Sequence, residues 1–422
     1  MREFKVASAA LGLILGVLAA VPASAWDRRD GDVANLVLPA LVDANGNLTN
    51  VRGRVEGLTV GPDNRIYAAS RDAGTIANLF VFDANGNFYN GQNICAPPAV
   101  PCSVRIQNST TDVLGIRFNP NNQAFLWVLD GGDCFAPPPC TPPQILEVNP
   151  ATGNSTRLAI TFQNDARLNG ITFDGAGNAY VSDSNLGRIY QIPVGNPGGT
   201  NIWSSGSFMG DPLLRPAMPP GGITPTFGAN GIEFMPLGCT PGVTPGCVLL
   251  VANTANRTIL QMTCCDMNNR ANPATVLLNA VNGPDGIAID PATGFIRVAA
   301  NQSDEIVAIQ PSTGPNALPR VIAKLGDFNG IAATQDGGWR VRGLLFPSSL
   351  AFSNLNPPPM FPPPAQRTLY VANSAFTGAS AIDTEWGRAV TRYTVAFVPV
   401  PTITGCPANP IPLPPPCGLF RP

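Results

Sequence analysis

The chain has 422 residues, 12% of them charged, a formal net charge of −2 and no histidine. That balance supplies neither a basic nucleic-acid footprint nor a polybasic membrane patch. Without an imidazole, Ser-His-Asp hydrolysis, a histidine-based zinc site and histidine-assisted lactone opening are all excluded.

At the N-terminus Arg2 and Lys5 precede an apolar run from Val6 to Val21, and Ala23-Ser24-Ala25 provides the small residues of a cleavage site before Trp26. Residues 1–25 are therefore predicted to be a secretory signal, which makes the mature protein secreted or periplasmic with no permanent membrane span. A polar leader follows, then an apolar segment from Ala34 to Val42 that ends in the turn Asp43-Ala44-Asn45-Gly46-Asn47. This early strand is expected to join the last blade, near Val390 to Val398, and so to close a ring.

From Glu56 onward one unit recurs. Its clearest copy, Asn169 to Val194, reads as strands over 170–173, 179–182 and 188–192, separated by the turns Asp174-Gly175-Ala176-Gly177-Asn178 and Asn185-Leu186-Gly187. The other copies start at Glu56-Gly57, Leu114-Gly115, Asn230-Gly231, Asp285-Gly286 and, more weakly, Ser348-Ser349, with spacings of 58, 55, 61, 55 and 63 residues. Each also ends its second strand alike, as in Trp127-Val128-Leu129-Asp130, Tyr180-Val181-Ser182-Asp183 and Tyr370-Val371-Ala372-Asn373. Repeats of this length, filled with strands and turns, predict one blade each and an all-β, six-bladed β-propeller with a central channel. The propeller is expected to span 26–398, with a compact fifth repeat over 283–345 and a Pro-rich tail over 399–422.

The ten cysteines fall as near neighbours: Cys95 with Cys102, Cys134 with Cys140, Cys239 with Cys247, Cys264 with Cys265, and Cys406 with Cys417. Such spacing predicts local loop staples made in an oxidising compartment. The adjacent pair either bridges to itself or pairs elsewhere.

In a propeller the first strand of every blade lines the channel, so equivalent positions become neighbours in space. The residue before the shared glycine is Glu56, Leu114, Asn169, Asn230, Asp285 and Ser348 around the ring. A ring of carboxylate and amide oxygens suits one divalent cation, with Ca²⁺ placed above Mg²⁺. The plainer alternative is that Asn-Gly and Asp-Gly simply make turns at strand starts.

With Glu56-Gly57, Arg167-Leu168-Asn169-Gly170, Asn230-Gly231 and Pro284-Asp285-Gly286, the chain resembles the SMP-30/gluconolactonase/luciferin-regenerating-enzyme family of six-bladed propellers. The resemblance implies Glu56, Asn230 and Asp285 as metal ligands, Arg167 and Asn169 as holders of substrate oxygens, and Asp285 as general base. It implies a metal-dependent hydrolase acting on a small-molecule lactone or related ester. Asp130 and Asp183 are alternative bases. The rival reading is a non-catalytic, NHL-like propeller that binds a partner or ligand and keeps its ion for structure.

Overall fold

A computed structural model describes most of the chain over 34–396; the longer stretches outside it are 48–53, 72–76, 96–100, 133–139, 205–210, 217–226, 313–317, 334–338, 354–365 and 375–388. The expected signal over 1–25, the tail over 399–422 and the pairs that include Cys134, Cys406 and Cys417 lie outside the described residues.

The second strand of each repeat shows why the sheets stack. Leu126–Asp130, Ala179–Asp183 and Ile296–Ala300 are buried at every position. A strand covered on both faces reads as a continuous apolar run and not as an alternating one, because another sheet lies above it and another below. Apolar clusters fill the space between consecutive sheets. Tyr180, Trp203, Phe234 and Leu249 pack in one such cluster, with Tyr180 edge-on to Trp203 at 5.0 Å and to Phe234 at 4.8 Å. Each edge-to-face pair adds about 0.5–1.5 kcal/mol beyond its area burial.

The described residues form an all-β propeller whose helical content is two short 3-10 turns, Pro197–Gly199 and Asn301–Ser303. Four-stranded antiparallel sheets are led by Val113–Phe118, Leu168–Phe173, Ala229–Met235, Pro284–Ile289 and Pro347–Phe352. The sheet led by Arg54–Val60 departs from that pattern: beyond Asn78–Phe82 it runs on through Phe88–Asn90 and Asn93–Cys95, with Val104–Arg105 pairing on the same strand. The regular four-stranded blades therefore number five among the described residues. The leading strands adjoin one another in chain order, and Pro347–Phe352 adjoins Arg54–Val60.

The expected closure is present. Ala34–Val37 pairs antiparallel with Ala389–Ala396, Ala34 opposite Arg392 and Val37 opposite Ala389. The fifth repeat, by contrast, is not compact. Its four strands end at Leu325, and Phe328–Ala333 with Trp339–Gly343 then form a separate hairpin before the last sheet begins. No helix among the described residues is long and apolar enough to cross a membrane.

Cys95–Cys102, Cys239–Cys247 and Cys264–Cys265 are disulfide-bonded, so the adjacent pair bridges to itself. Cys239–Cys247 staples the loop between Ala229–Met235 and Val248–Asn253, where the sequence places it.

Candidate functional site

Every leading strand carries a β-bulge at the same place. Val55 pairs with Ser70 and Gly57 with Ala69, leaving Glu56 as the extra residue. The register shifts at the equivalent point in the other five, between Val113 and Ile116, Leu168 and Ile171, Ala229 and Ile232, Pro284 and Ile287, and Pro347 and Ser349. A bulge frees one residue from the ladder and re-aims its side chain. Here the re-aimed residues are Glu56, Leu114, Asn169, Asn230, Asp285 and Ser348, and all six line one central cavity of about 460 Å³.

The glycine that follows is there for contact between blades. A Cβ at Gly57, Gly115, Gly170 or Gly231 would collide with the backbone carbonyl oxygen of Leu114, Asn169, Asn230 or Asp285 on the next strand, and one at Gly286 would lie 2.7 Å from that of Ser348. None of these five glycines has a left-handed φ. The turn alternative is thus replaced by a packing one: the strands approach too closely for any side chain. Ser349 takes the glycine's place in the last sheet, and Ser348 Oγ closes the seam by donating to the Val55 and Glu56 carbonyls at 3.2 and 3.3 Å.

A second set of residues, one position beyond the second strand, holds the ring side chains. Ser374 Oγ donates to Glu56 Oε2 at 2.9 Å, and Asn301 Nδ2 donates to Asp285 Oδ2 at 3.1 Å. Asn169 Nδ2 donates to Ser184 Oγ at 3.1 Å, and Asn230 Nδ2 to Thr254 Oγ1 at 3.0 Å. Ser184 and Thr254 pass the bond on to the Ala229 and Pro284 carbonyls at 2.7 and 2.6 Å. With their NH₂ groups fixed in this way, Asn169 and Asn230 keep their amide oxygens on the opposite side as acceptors. Sequence reasoning missed these holders. Their signal was a hydroxyl or amide directly after each Asp183-, Asn253-, Ala300- or Asn373-type strand end.

Asn169, Asn230, Asp285 and Ser348 are buried and Glu56 is half-buried. A buried carboxylate such as Asp285 is costly unless hydrogen-bonded, paired or metal-bound. Among the described residues no three acidic, histidine or cysteine side chains gather as a metal cluster. The donors at the bulge end of the cavity are two carboxylates, Glu56 and Asp285, together with amide and hydroxyl oxygens. That chemistry fits a hard cation of irregular coordination and does not fit a thiolate- or imidazole-seeking one.

Other candidate residues are placed differently. Arg167 is not among the residues that line the cavity; its Nη2 donates to Asp112 Oδ1 at 3.1 Å, and its guanidinium lies over the Phe227 ring at 4.7 Å. Asp183 and Asp130 are buried loop anchors. Asp183 Oδ1 accepts the backbone N–H groups of Arg167, Asn185 and Leu186, and its Oδ2 accepts the Tyr190 hydroxyl. Burial pushes the Asp183 carboxyl above the usual carboxylate range, and those hydrogen bonds oppose the rise. Asp130 accepts from Thr110, Gly132 and Gln144. Neither lines the cavity.

Three residues further along the leading strands is a second polar layer that the sequence reading did not single out. Arg117 Nη1 donates to Glu233 Oε2 at 2.6 Å, spanning the strand between them, and that strand supplies Thr172, whose Oγ1 donates to Glu233 Oε1 at 2.6 Å. The Phe234 N–H adds a third donor to Glu233 at 3.1 Å.

No protein-family model matches the chain, and no curated protein matches it in sequence. Solved structures do. A luciferin-regenerating enzyme is 12% identical over 82% of this chain and 92% of its own, with a TM-score of 0.51. A calcium-binding protein, regucalcin, from Agrobacterium tumefaciens is 14% identical over 82% and 94%, with a TM-score of 0.47. A PQQ-bound aldose sugar dehydrogenase from Streptomyces coelicolor is 12% identical over 86% and 98%, with a TM-score of 0.45. At these identities the likeness to the luciferin-regenerating enzyme bears on the fold alone, and by it the chain is similar to a known β-propeller.

Proposed function

We propose that the protein is a secreted or periplasmic six-bladed propeller, gluconolactonase-like, that hydrolyses a lactone or related ester with the help of one divalent cation, Ca²⁺ foremost. The count of six takes the sheet led by Arg54–Val60 as a blade, which the contact of Pro347–Phe352 with Arg54–Val60 supports. The loops stapled by Cys95–Cys102 and Cys239–Cys247 support an oxidising compartment.

One observation carries the functional reading: Glu56, Asn169, Asn230 and Asp285, from four different repeats, line a single cavity and are each held by a residue behind them. Glu56, Asn230 and Asp285 would hold the cation. A cation bound there would polarise the substrate carbonyl and ease deprotonation of the attacking water. Asn169 offers its amide oxygen to a substrate hydroxyl. Asp285 takes the water's proton, oriented for that by Asn301. Arg167 reaches substrate only if its pairing with Asp112 opens, which makes it the member of the set with the least support.

The test is turnover of aldonolactones and aryl esters by the purified protein. Activity should disappear with chelator, return with Ca²⁺ or another divalent ion, and be abolished in Asp285→Asn with an unchanged circular dichroism spectrum. Ion binding without hydrolysis across a broad panel would leave the binding-propeller reading in its place.

A further inference from the structure

The cavity is chemically two-ended. At one end are the bulge residues; three residues further along the strands, about 10 Å at a rise of ~3.3 Å per residue, the wall carries Arg117 and Glu233. Val60, Phe118, Ile289, Phe352 and the loop residues Leu237 and Pro291 supply apolar surface to that far wall, which also carries the hydroxyl residues Thr59 and Ser353. Arg117 is the one cationic residue among the described residues lining the cavity, and its side chain is 36% exposed.

Arg117 is also preorganised. Glu233, 4% exposed and held by Thr172 and the Phe234 N–H, fixes the guanidinium through Nη1. Among the described residues no other side-chain nitrogen of Arg117 donates a hydrogen bond, so a planar edge of the guanidinium remains for a ligand. From this geometry we propose that the far end of the channel is a carboxylate-binding subsite, in which Arg117 grips the anionic head of a small, partly aliphatic acid whose chain lies along the apolar wall. The subsite goes beyond the hydrolase reading and does not depend on it.

The lining charges weigh more heavily against a dianion than against a monoanion. Three carboxylates, Glu56, Glu233 and Asp285, face one guanidinium. A dianion such as phosphate would meet more repulsion than one fork can offset, whereas a carboxylate matches the remaining edge and keeps its charge at the end remote from Glu56 and Asp285.

Isothermal titration of the full chain in calcium-free, low-salt buffer, with hexanoate against its neutral isostere hexanamide, tests this directly. Hexanoate should bind saturably, one per chain and at least tenfold tighter than hexanamide, and Arg117→Gln should lose at least that tenfold. Glu233→Gln keeps the shape of the support and removes a competing charge, so it should bind hexanoate at least as tightly as wild type. It also serves as the second variant if Arg117→Gln does not fold. Asp285→Asn should bind hexanoate at least as tightly as wild type, which separates this subsite from the hydrolytic site. Equal binding of hexanoate and hexanamide, full affinity in folded Arg117→Gln, or lost affinity in folded Glu233→Gln would overturn the proposal.

Discussion

Gly231→Ala distinguishes two physical reasons for the recurring glycine, because they predict opposite signs. Gly231 does not have a left-handed φ. If it were only a turn residue, alanine would fit and would stabilise by about 0.4–1 kcal/mol through the unfolded chain. The observed surroundings say otherwise. A Cβ there would overlap the Asp285 carbonyl oxygen and lie 2.8 Å from Gly286 Cα and 3.0 Å from Ile287 N, all of them backbone. Ordinary contact begins near 3.4 Å, so the next strand must move by roughly 0.5–1 Å. Overpacking costs about 1–3 kcal/mol, and with no flexible side chain to yield the upper end applies. At about 1.3 °C per kcal/mol for a domain of roughly 370 residues, the melting temperature should fall by about 4 °C. Calorimetry at matched scan rates measures it, with Gly294→Ala as control. Gly294 has a φ of 70° and open space around its Cβ position, so that variant carries only a left-handed backbone cost. A Gly231→Ala protein that melts within 1 °C of wild type, or above it, would refute the packing explanation.

Four further outcomes are expected. Removing the Ser374 hydroxyl in Ser374→Ala, which frees Glu56 Oε2 of a donor at 2.9 Å, should weaken Ca²⁺ binding about tenfold or more by titration calorimetry. Ca²⁺ at one hundred times its dissociation constant should stabilise the wild type by about 2.7 kcal/mol in denaturant titrations, and chelator should erase that gain. For Asp183, whose carboxyl is raised by burial, the folded state holds its proton more tightly than the unfolded state. Its contribution to stability therefore grows as pH falls through the folded value and is lost as pH rises through it. Asp183→Asn, which still accepts the Arg167, Asn185 and Leu186 N–H groups, should flatten that part of the pH–stability curve, whereas Asp183→Ala should cost several kcal/mol by removing the acceptor of those three N–H groups and of the Tyr190 hydroxyl. Replacing Cys239 and Cys247 together by alanine should cost about 2–3 kcal/mol under non-reducing conditions, since the bridge closes a short loop.

The phase of the repeat was legible because strand periodicity and turn residues are local. The three strands read at 170–173, 179–182 and 188–192 correspond to Leu168–Phe173, Ala179–Asp183 and Arg188–Ile192. The positions that line the channel followed from the same phase, down to Leu114 and Ser348. What was not legible depends on neighbours distant in sequence. The bulge at each X-Gly pair exists because a carbonyl from the next blade fills the space above the glycine. The role of Ser374 depends on Glu56, which lies at the other end of the chain. The family resemblance implies a substrate contact for Arg167, but its contacts with Asp112 and Phe227, brought in by other loops, could not be read from its own segment. Asn329-Gly330-Ile331 repeats the motif and carries the same register shift, but among the described residues its hairpin leads no four-stranded sheet, so the motif alone does not make a blade there.

The pairing of Ala34 with Arg392 joins residues more than 350 positions apart. A toroid fastened in this way cannot be finished piecemeal: during synthesis the earlier blades have partners on one side only, and the N-terminal segment must wait, unzipped, until the final sheet emerges. Late, long-range fastening is slow, and the same clasp lends the finished circle resistance, because separating any one blade by its ends first requires parting a strand from each extremity of the polypeptide.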